Sequence, residues 1–393
     1  MNPVTDTNTT VELEIDAVAH GGDGVGRVSG MVCFVEGALP GDKVRAQVYR
    51  RGPRAIWANT LEVVEPSPSR IPCPERSERP CVAACSWRFF AYPDQAAWKQ
   101  RIVADSLKRI GGITAEIAWI EEPALRFGYR TRAVFHGDGE ALGYYAPRTH
   151  TIVPIDDCPL NHERMNGALQ ALQTLEIQGD VHLTVNPEGE EILLWMRDVP
   201  PEVRERFPLW NGPGDADRHA FLFDGVPVVN GAFSQSSLLL NRMLRAHVSD
   251  CLGETESLLD LYCGNGNLSL PRAENCKVLG IDHAGPVVDA AARIASDAYV
   301  CGDERLMARH LAGGDWDVVL LDPPRTGAKA LAGSLARAKA RRIVYVSCDP
   351  ATLARDLGII IKGGWTLVRV TALDMFPCTP HVETVCVLER KAP

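Results

Sequence analysis

The most constraining feature of this sequence is a series of apolar segments in the part of the chain after Asp224. Helical segments separate four of them, which cover residues 257–262, 277–282, 317–322 and 342–347. Continuous apolar strands joined by crossover helices are typical of a mostly parallel sheet with helices on both faces. We therefore predict a doubly wound α/β domain over residues 223–393.

The rest of the chain divides into two further blocks. Residues 11–64 alternate short β-rich runs with glycine turns, a pattern that favours a small β-barrel in a first domain of residues 1–66. A run rich in proline and serine, residues 65–69, reads as a linker. Residues 67–222 form a mixed block, which we predict to be a central α+β domain; a helix begins after Asp94 and has a plausible C-cap at Gly111 and Gly112.

Composition restricts the function classes. The chain has 393 residues, 46% hydrophobic and 23% charged, as expected for a globular protein. Since no apolar run approaches the roughly 20 residues that span a bilayer and the first ten residues lack a signal-peptide pattern, we expect a cytoplasmic protein without membrane contact. In such a chain we expect the twelve cysteines to be free thiols, nucleophiles or metal ligands and not a framework of disulfides. The net charge of −9 argues against nucleic-acid binding through bulk positive charge.

Functional residues follow the predicted strands at the edge where open α/β sheets bind ligands. The first strand leads into a turn that contains Tyr262, Gly264 and Gly266, and glycine lets a backbone pass close to a ligand. Asp282 ends the second strand, where a carboxylate can accept hydrogen bonds from a ribose. Asp303 follows the next apolar segment and can reach an adenine amino group.

These residues favour a particular kind of cofactor. The glycine turn lacks the third glycine of the dinucleotide fingerprint, because Ser269 stands in its place. With Asp282 and Asp303, it favours a nucleoside cofactor without a pyrophosphate, such as S-adenosylmethionine, over NAD. Taken alone, the glycines also fit a plain strand-to-helix turn.

The later strand ends carry further motifs. In order along the chain they are D-L-x-C-G-x-G-x from Asp260, D-P-x-R from Asp322, V-S-C-x-P-x-T-x-x-R-D around Cys348 and F-P-x-T-x-H-V-E ending at Glu383. All four resemble motifs of the RNA uracil C5-methyltransferases that use S-adenosylmethionine. Gln235 lies in a segment similar to the F-x-Q segment of that family, and the glycine-rich run at residues 19–26 resembles the RNA-binding TRAM barrel.

The resemblance implies a Rossmann-like methyltransferase domain that methylates C5 of a uridine, with a TRAM-like barrel in front. Uracil C5 is a poor nucleophile, and thiolate addition at C6 converts the ring to an enolate whose C5 can attack a methyl group. This chemistry needs an exposed cysteine and a base, and we assign these roles to Cys348 and Glu383. The alternatives are a buried structural thiol and a solvated edge-strand carboxylate. The cofactor-binding residues are then Gln235, Tyr262, Gly264, Asp282, Asp303 and Asp322, the last of which can also orient the base.

The chain departs from the family pattern at three positions. Asp349 stands where the family usually has asparagine, Cys378 where it often has glutamine, and Ser237 where it often has asparagine. These changes concern substrate contacts or local hydrogen bonds more than the central mechanism.

Four cysteines of the central block look like the iron–sulfur ligand set of many family members. They are Cys73, Cys81, Cys85 and Cys158. Thiolate-only ligation suits a [4Fe–4S] cluster. The spacing is wider than the usual family spacing, which leaves zinc as an alternative, although the paired C-x2-C knuckles typical of structural zinc are absent from the sequence.

Two local stretches combine cations with few acids, and cations with interleaved rings suit single-stranded RNA. The first contains Lys43, Arg45, Arg50, Arg51 and Arg54. The second contains Arg126, Arg130, Arg132 and Arg148 among Phe127, Tyr129, Phe135, Tyr144 and Tyr145. The alternative for the second stretch is that its rings belong to the core. A base inside a helix is out of reach, so the target uridine should be unpaired or flipped.

We therefore predict a monomeric RNA methyltransferase that acts on a uridine, in 23S rRNA by resemblance to the members with a barrel and a cluster. We expect the helix near residues 94–125 to pack on the catalytic domain. A tRNA uracil C5-methyltransferase and an RNA cytosine C5-methyltransferase are alternatives with related chemistry. A non-catalytic iron–sulfur RNA-binding protein is the alternative from another class.

Overall fold

A computed structural model describes residues 9–72, 85–146 and 148–390. The backbone divides into two compact units, one within residues 1–105 and 376–381, the other within residues 106–375 and 382–393. Along the described ranges, we find no helix with the length and apolar character needed to cross a membrane. The predicted division into domains 1–66, 67–222 and 223–393 stays a prediction.

The first unit begins with a closed five-stranded barrel in the order β1-β2-β3-β5-β4. Its strands are β1 (Thr10–Val18), β2 (Gly24–Val28), β3 (Met31–Glu36), β4 (Lys43–Arg51) and β5 (Ala55–Glu65). Alternate residues such as Val44, Ala46 and Val48 point inward and are fully buried, the period-2 pattern of a strand with one core face. Gly26 is required in β2, because a Cβ there would lie 2.2 Å from the Glu14 carbonyl oxygen. The predicted barrel is thus confirmed.

The segment predicted as a linker is instead tied to the barrel. Asp42 is fully buried, and its carboxylate accepts hydrogen bonds from the backbone N–H groups of Leu39 (2.7 Å) and Ser67 (2.8 Å). The guanidinium of Arg70 contacts the same carboxylate at 2.5 Å. A buried, paired aspartate therefore fixes the exit from β5.

Helix α1 (Tyr92–Ser106) completes the described part of the first unit and holds the segment that precedes Glu383. The buried Gln95 accepts a hydrogen bond from the backbone N–H of Cys378 at 3.1 Å. The ammonium of Lys99, also buried, donates to the Phe376 carbonyl at 3.0 Å.

A mixed sheet opens the main part of the second unit, in the order β12-β11-β10-β7-β8-β9. After β6 (Ala118–Ile120), its strands and flanking helices are β7 (Arg132–Asp138), β8 (Leu142–Tyr145), β9 (Ile152–Pro154), α2 (Glu163–Gln173), β10 (Gln178–Val185), β11 (Ile192–Met196), α3 (Pro201–Arg206) and β12 (Trp210–Asn211). A hairpin of β13 (Ala220–Phe223) and β14 (Val226–Val229) then packs its apolar side chains around Leu193.

An eight-stranded sheet in the order β17-β16-β15-β18-β19-β21-β20-β6 forms the rest of the unit. Its remaining elements are α4 (Leu238–Leu252), β15 (Ser257–Leu261), β16 (Lys277–Asp282), α5 (Gly285–Ala292), β17 (Tyr299–Cys301), α6 (Glu304–Gly313), β18 (Val318–Leu321), α7 (Ala332–Arg337), β19 (Arg342–Ser347), α8 (Pro350–Ile360), β20 (Trp365–Leu373) and β21 (Glu383–Arg390). Strands β15 to β19 pair in parallel, and β21 pairs antiparallel to β19. The four predicted strands and the doubly wound α/β fold are confirmed.

The helical stretch predicted after Asp94 ends at Gly112, as its predicted C-cap requires, and therefore before the end of the 94–125 segment. After α1, a π-helical turn (Leu107–Gly111) stops at Gly112, which adopts a left-handed conformation with φ of 67°. The turn packs on α8, and β6 then pairs in parallel with β20. Residues after Ser106 thus form a turn that packs on α8 and a strand that joins the eight-stranded sheet.

Candidate functional site

The carboxyl ends of β15 and β16 form a cradle at one edge of the sheet. Asp282 accepts hydrogen bonds from the backbone N–H groups of Gly264 (3.0 Å) and Ala284 (2.8 Å). Tyr262 has a φ of 61°, and its N–H donates to the Ile281 carbonyl at 2.9 Å. No atom lies within 4 Å of a Cβ built on Gly264, whose φ is 52°. The backbone is therefore open to a ligand beside a buried carboxylate, as the predicted nucleoside cofactor requires.

A buried polar network lies next to this cradle. Sequence reasoning did not predict it. Asp260 accepts a hydrogen bond from the Ser269 hydroxyl at 2.5 Å, and that hydroxyl lies 2.9 Å from the Tyr299 hydroxyl. Burial raises the pKa of Asp260 to about 8 and so favours the neutral form of its carboxyl group. Ser269, which stands where a dinucleotide fingerprint has glycine, is thus a structural hydroxyl.

The other predicted cofactor residues lie on nearby elements. Asp303 is exposed and caps α6, accepting hydrogen bonds from the N–H groups of Arg305 and Leu306 at 3.1 Å each. Gln235 is half-buried in the segment before α4. Ser237, one of the departures from the family pattern, caps α4 by accepting a hydrogen bond from the Leu240 N–H at 3.0 Å.

Strand pairing brings Cys348 and Glu383 together. In the antiparallel register of β19 and β21, Ser347 pairs with Thr384, so Cys348 and Glu383 are the next residues facing each other. Asp322 follows β18, the neighbour of β19 on its other side. The three side chains predicted from separate motifs therefore lie at the same sheet edge.

The electrostatics of this group favour neutral side chains. Glu383 is 3% exposed, and its Oε1 has no hydrogen-bond partner within the described part of the chain. Burial, reinforced by the charge of Asp322, raises its pKa well above the ordinary carboxyl range, and Arg325 opposes that rise. Burial also raises the pKa of Asp322. At Cys348, burial and then the charges of Glu383 and Asp322 raise the thiol pKa to about 12, while Arg325 lowers it.

Local hydrogen bonds hold Cys348 at the start of α8. Asp349 caps this helix, and its carboxylate accepts from the N–H groups of Ala351 (3.0 Å) and Thr352 (2.8 Å). The Ser347 hydroxyl accepts from the Asp349 N–H and donates to the Asp349 carbonyl. Both aspartate and asparagine are good N-caps, so the departure at residue 349 preserves this geometry. The half-buried Cys348 lies beside a helix N-terminus, where the macrodipole favours a thiolate.

The predicted metal ligands are only partly covered by the described ranges. Cys73 and Cys81 lie outside them. Cys85 is buried in the first unit and Cys158 in the second. Asn166 fixes the backbone of Cys158, since it accepts from the Cys158 N–H at 3.1 Å and donates to the Cys158 carbonyl at 3.0 Å.

Among the residues that the structure describes, a second group of metal-capable side chains lies on α4. His247, Asp250 and Cys251 bring their donor atoms within 4.8 Å of one another. The Arg369 guanidinium lies 2.9 Å from the Asp250 carboxylate and 3.8 Å from the Cys251 sulfur. A positive charge therefore already neutralises this group.

Four of the residues predicted to contact RNA are paired with acids or buried in the structure. Lys43 pairs with Glu12 at 3.2 Å, and Arg45 pairs with Glu62 at 2.6 Å, so acids from other strands neutralise these cations. Tyr129 and Phe135 are fully buried and belong to the core.

The remaining basic residues of the barrel differ from Lys43 and Arg45. Arg50, Arg51 and Arg54 are exposed, and the Arg50 guanidinium stacks 3.5 Å from the ring centroid of Trp57. Near the sheet edge, Phe233 is 71% exposed beneath the guanidinium of Arg132, at 5.6 Å. These cations and rings are available to a nucleic acid.

Comparison with known proteins agrees with this arrangement. The family model described as tRNA (Uracil-5-)-methyltransferase matches residues 226–302 and 301–391, and the TRAM domain model matches residues 5–50. A 23S rRNA (uracil(1939)-C(5))-methyltransferase of Pseudomonas entomophila is 31% identical, over 96% of this chain and 93% of the relative. An uncharacterized RNA methyltransferase of Gloeobacter violaceus is also 31% identical, over 97% of this chain and 96% of the relative.

A solved structure shares the fold. The Pyrococcus abyssi tRNA (uracil-54, C5)-methyltransferase in complex with S-adenosyl-L-homocysteine superposes with a TM-score of 0.76 at 24% identity, over 96% of this chain and 99% of that one. The barrel, the doubly wound sheet and the near full-length relatives lead to one conclusion. The chain belongs to the S-adenosylmethionine-dependent RNA uracil-5-methyltransferase family.

Proposed function

We propose that this enzyme methylates C5 of an unpaired uridine in 23S rRNA, with Cys348 as the nucleophile and Glu383 as the base. The observation that carries this proposal is the position of Cys348 one residue beyond the Ser347–Thr384 pair, towards a buried Glu383 whose Oε1 has no hydrogen-bond partner in the described ranges. A buried polar atom left without a partner costs about 1–3 kcal/mol, and such a cost is typical of a functional site. The rRNA target is supported by full-length relatives at 31% identity that are named for it.

The first step uses the Cys348 thiol. On loss of its proton to water, the Cys348 sulfur bonds to C6 of the uracil, and the electron pair of the C5–C6 bond moves into an enolate. Arg325 assists, because its charge lowers the pKa of Cys348 against the larger effect of burial. S-adenosylmethionine, when bound, supplies the methyl group as an electrophilic sulfonium substituent.

The second step uses Glu383. After C5 has gained the methyl group, the Glu383 carboxylate removes the C5 proton. The electron pair of that C–H bond restores the C5–C6 double bond, and the bond between Cys348 sulfur and C6 breaks. Glu383 must therefore be ionised at this point, although burial favours its neutral form.

The cradle at β15 and β16 fits the cofactor. We assign the ribose to Asp282, the adenine to Asp303, and the approach of the backbone to Tyr262 and Gly264. Gln235 lies in the half-buried segment before α4, which suits a contact with the amino-acid portion. Asp322 borders both the cradle and Cys348, since its N–H donates to the Leu261 carbonyl at 3.3 Å.

The test is to map 5-methyluridine in the rRNA and tRNA of a deletion strain. Loss of one 5-methyluridine from 23S rRNA, restored by wild-type protein and not by C348A, is the expected result. Loss from tRNA alone would assign the tRNA target instead. A lost 5-methylcytidine would indicate the cytosine C5 reaction, and RNA binding without any lost methyl group would indicate a non-catalytic role.

For the cysteine set, we propose a [4Fe–4S] cluster bound by Cys73, Cys81, Cys85 and Cys158. The two described members support it, because both are buried and thiolate-only ligation suits iron–sulfur clusters. Anaerobically purified protein should then be brown and contain about four irons per chain. Stoichiometric zinc without iron would assign a zinc site instead. We further propose that the enzyme acts as a cytoplasmic monomer.

A further inference from the structure

The loop of residues 322–328 follows β18 and carries Asp322 and Arg325. Besides burial, the charge of Asp322 raises the pKa of both Cys348 and Glu383, and the charge of Arg325 lowers it. The two successive prolines of the loop lack backbone N–H groups, so the loop has few donors with which to fix its own shape. A backbone hydrogen bond from the Gly327 N–H to the Pro324 carbonyl, at 2.7 Å, forms a turn within the loop, and groups outside the loop fix that turn on the protein.

One such group is the side chain of Asp356, on α8. Asp356 is fully buried, and its Oδ2 accepts hydrogen bonds from the Ala328 N–H at 2.7 Å and from the Tyr345 hydroxyl at 2.8 Å. Its Oδ1 contacts the Arg355 guanidinium at 2.8 Å. The carboxylate thus ties the end of the loop to β19 and to α8 at once.

Two further residues of α8 hold the preceding part of the loop. Arg355 donates from Nη2 to the Thr326 carbonyl at 2.8 Å, and the Thr352 hydroxyl donates to the Arg325 carbonyl at 3.1 Å. Three side chains from little more than one turn of α8 therefore bind three backbone groups along the loop.

Gly327 shows how closely the loop approaches the helix. It has a φ of 73°, and a Cβ there would lie 2.6 Å from both Arg355 Nη2 and Asp356 Oδ2. Only glycine combines this left-handed conformation with so short an approach. The loop is thus seated on Arg355 and Asp356 without space for a side chain.

The same helix begins at Pro350, and its cap Asp349 follows Cys348, so α8 connects the reactive thiol to the loop that bears Arg325. We propose that Asp356 is a positioning residue of the methyltransferase, which holds the 322–328 loop, and with it Arg325, on the helix that follows Cys348. The proposal rests on the role assigned to Cys348 above. Asp356 itself is buried beneath the loop and acts through the loop.

The test is the pH dependence of Cys348 alkylation by iodoacetamide, followed by mass spectrometry of the Cys348 peptide, in wild type and D356N. Asparagine preserves the shape, but its NH2 group must face either Ala328 and Tyr345 or the Arg355 guanidinium, all of which are donors. Either choice breaks a contact that seats the loop, which releases the loop and its cation. Asp322 is held separately, because its N–H donates to the Leu261 carbonyl at 3.3 Å, so the release moves Arg325 and leaves Asp322 in place. We therefore expect the Cys348 profile to move to higher pH, so that alkylation at a given pH slows by about tenfold. In RNA methylation, kcat should fall by about tenfold to a hundredfold, with KM for RNA changed much less.

The matched control is D42N. Asp42 is also fully buried, accepts two backbone N–H groups and pairs with an arginine, but it lies in the barrel. D42N should lower the melting temperature and leave the Cys348 alkylation profile at the wild-type position. Should D356N fail to fold, R355K keeps the positive charge but loses the forked contact, and it should shift the profile in the same direction by less.

A folded D356N with wild-type alkylation profile and kcat would overturn the proposal, as would an equal shift in D42N. The alkylation assay needs neither RNA nor cofactor. It therefore tests the positioning role even if mapping finds no 5-methyluridine, the result that would remove the proposed function.

Discussion

Two groups of side chains at the carboxyl edge of the eight-stranded sheet differ in how their carboxyl groups are hydrogen-bonded. We call them the cofactor half, around Asp282 and Asp303, and the base half, around Cys348 and Glu383. On the cofactor half, both oxygens of Asp282 accept backbone N–H groups, and Asp303 caps a helix. On the base half, the Glu383 carboxyl is buried with Oε1 lacking a partner in the described ranges, opposite the thiol of Cys348. Backbone groups thus preorganise the first half for binding. The second half keeps one carboxyl oxygen, Glu383 Oε1, without a partner in the described ranges, at a cost in stability, and a bound substrate can supply that partner.

Of the variants that distinguish the two halves, C348A is expected to change activity the most. Loss of the nucleophile should lower methyl transfer by roughly four orders of magnitude or more, because no other thiol lies at that strand end in the described ranges. The dissociation constant for S-adenosylmethionine, measured by calorimetry, should stay close to wild type. Retained turnover would remove Cys348 from the mechanism, and a large loss of cofactor affinity would mean that the halves are not separate.

D282N is expected to weaken cofactor binding and to leave the Cys348 thiol unaffected, the reverse of C348A, and its effect should be smaller. Asparagine turns one acceptor into an N–H donor that faces the N–H of Gly264 or Ala284, so the cradle loses a hydrogen bond to a charged group. The dissociation constant for S-adenosylmethionine should rise by about tenfold to a hundredfold. The alkylation rate of Cys348 should not change. The control is D289N, at an exposed position on α5, which should leave the constant unchanged; an unchanged constant in D282N would take the cofactor away from this cradle.

The pH profile of wild-type kcat should show the raised carboxyl pKa values of the base half. Glu383 must be ionised to accept the C5 proton, and burial raises its pKa, so activity should be lost as the pH falls through that raised value. The acid limb should therefore lie above the ordinary carboxyl range near about pH 4, with a slope of about tenfold per pH unit. An acid limb near the ordinary range would show that Glu383 titrates as a solvated carboxyl.

The sequence was sufficient for features that depend on local pattern. Apolar runs predicted β15, β16, β18 and β19, and two motifs pointed to Cys348 and Glu383, which the structure brings to one sheet edge. The left-handed glycines of the turn after β15, which we propose binds the cofactor, likewise leave a local signal.

Features that depend on pairing between distant segments could not be found in this way. The acids that neutralise Lys43 and Arg45 come from β1 and β5, and only the barrel register brings them together. Tyr129 and Phe135 read as RNA-stacking rings, but they face the core. The seat of the 322–328 loop on α8 also required the tertiary structure, although Asp356 lies within a motif.

The most direct test of the central claim is the fate of the RNA in E383Q. Glutamine keeps the shape of Glu383 but cannot take the C5 proton, so addition by Cys348 and methyl transfer should proceed while release stalls. Incubation with target RNA and methyl-labelled S-adenosylmethionine should yield a labelled protein–RNA adduct, linked through Cys348, that survives denaturing electrophoresis and is absent from the double variant with C348A. Normal turnover, or no adduct at saturating RNA, would contradict the account and assign the proton to another residue.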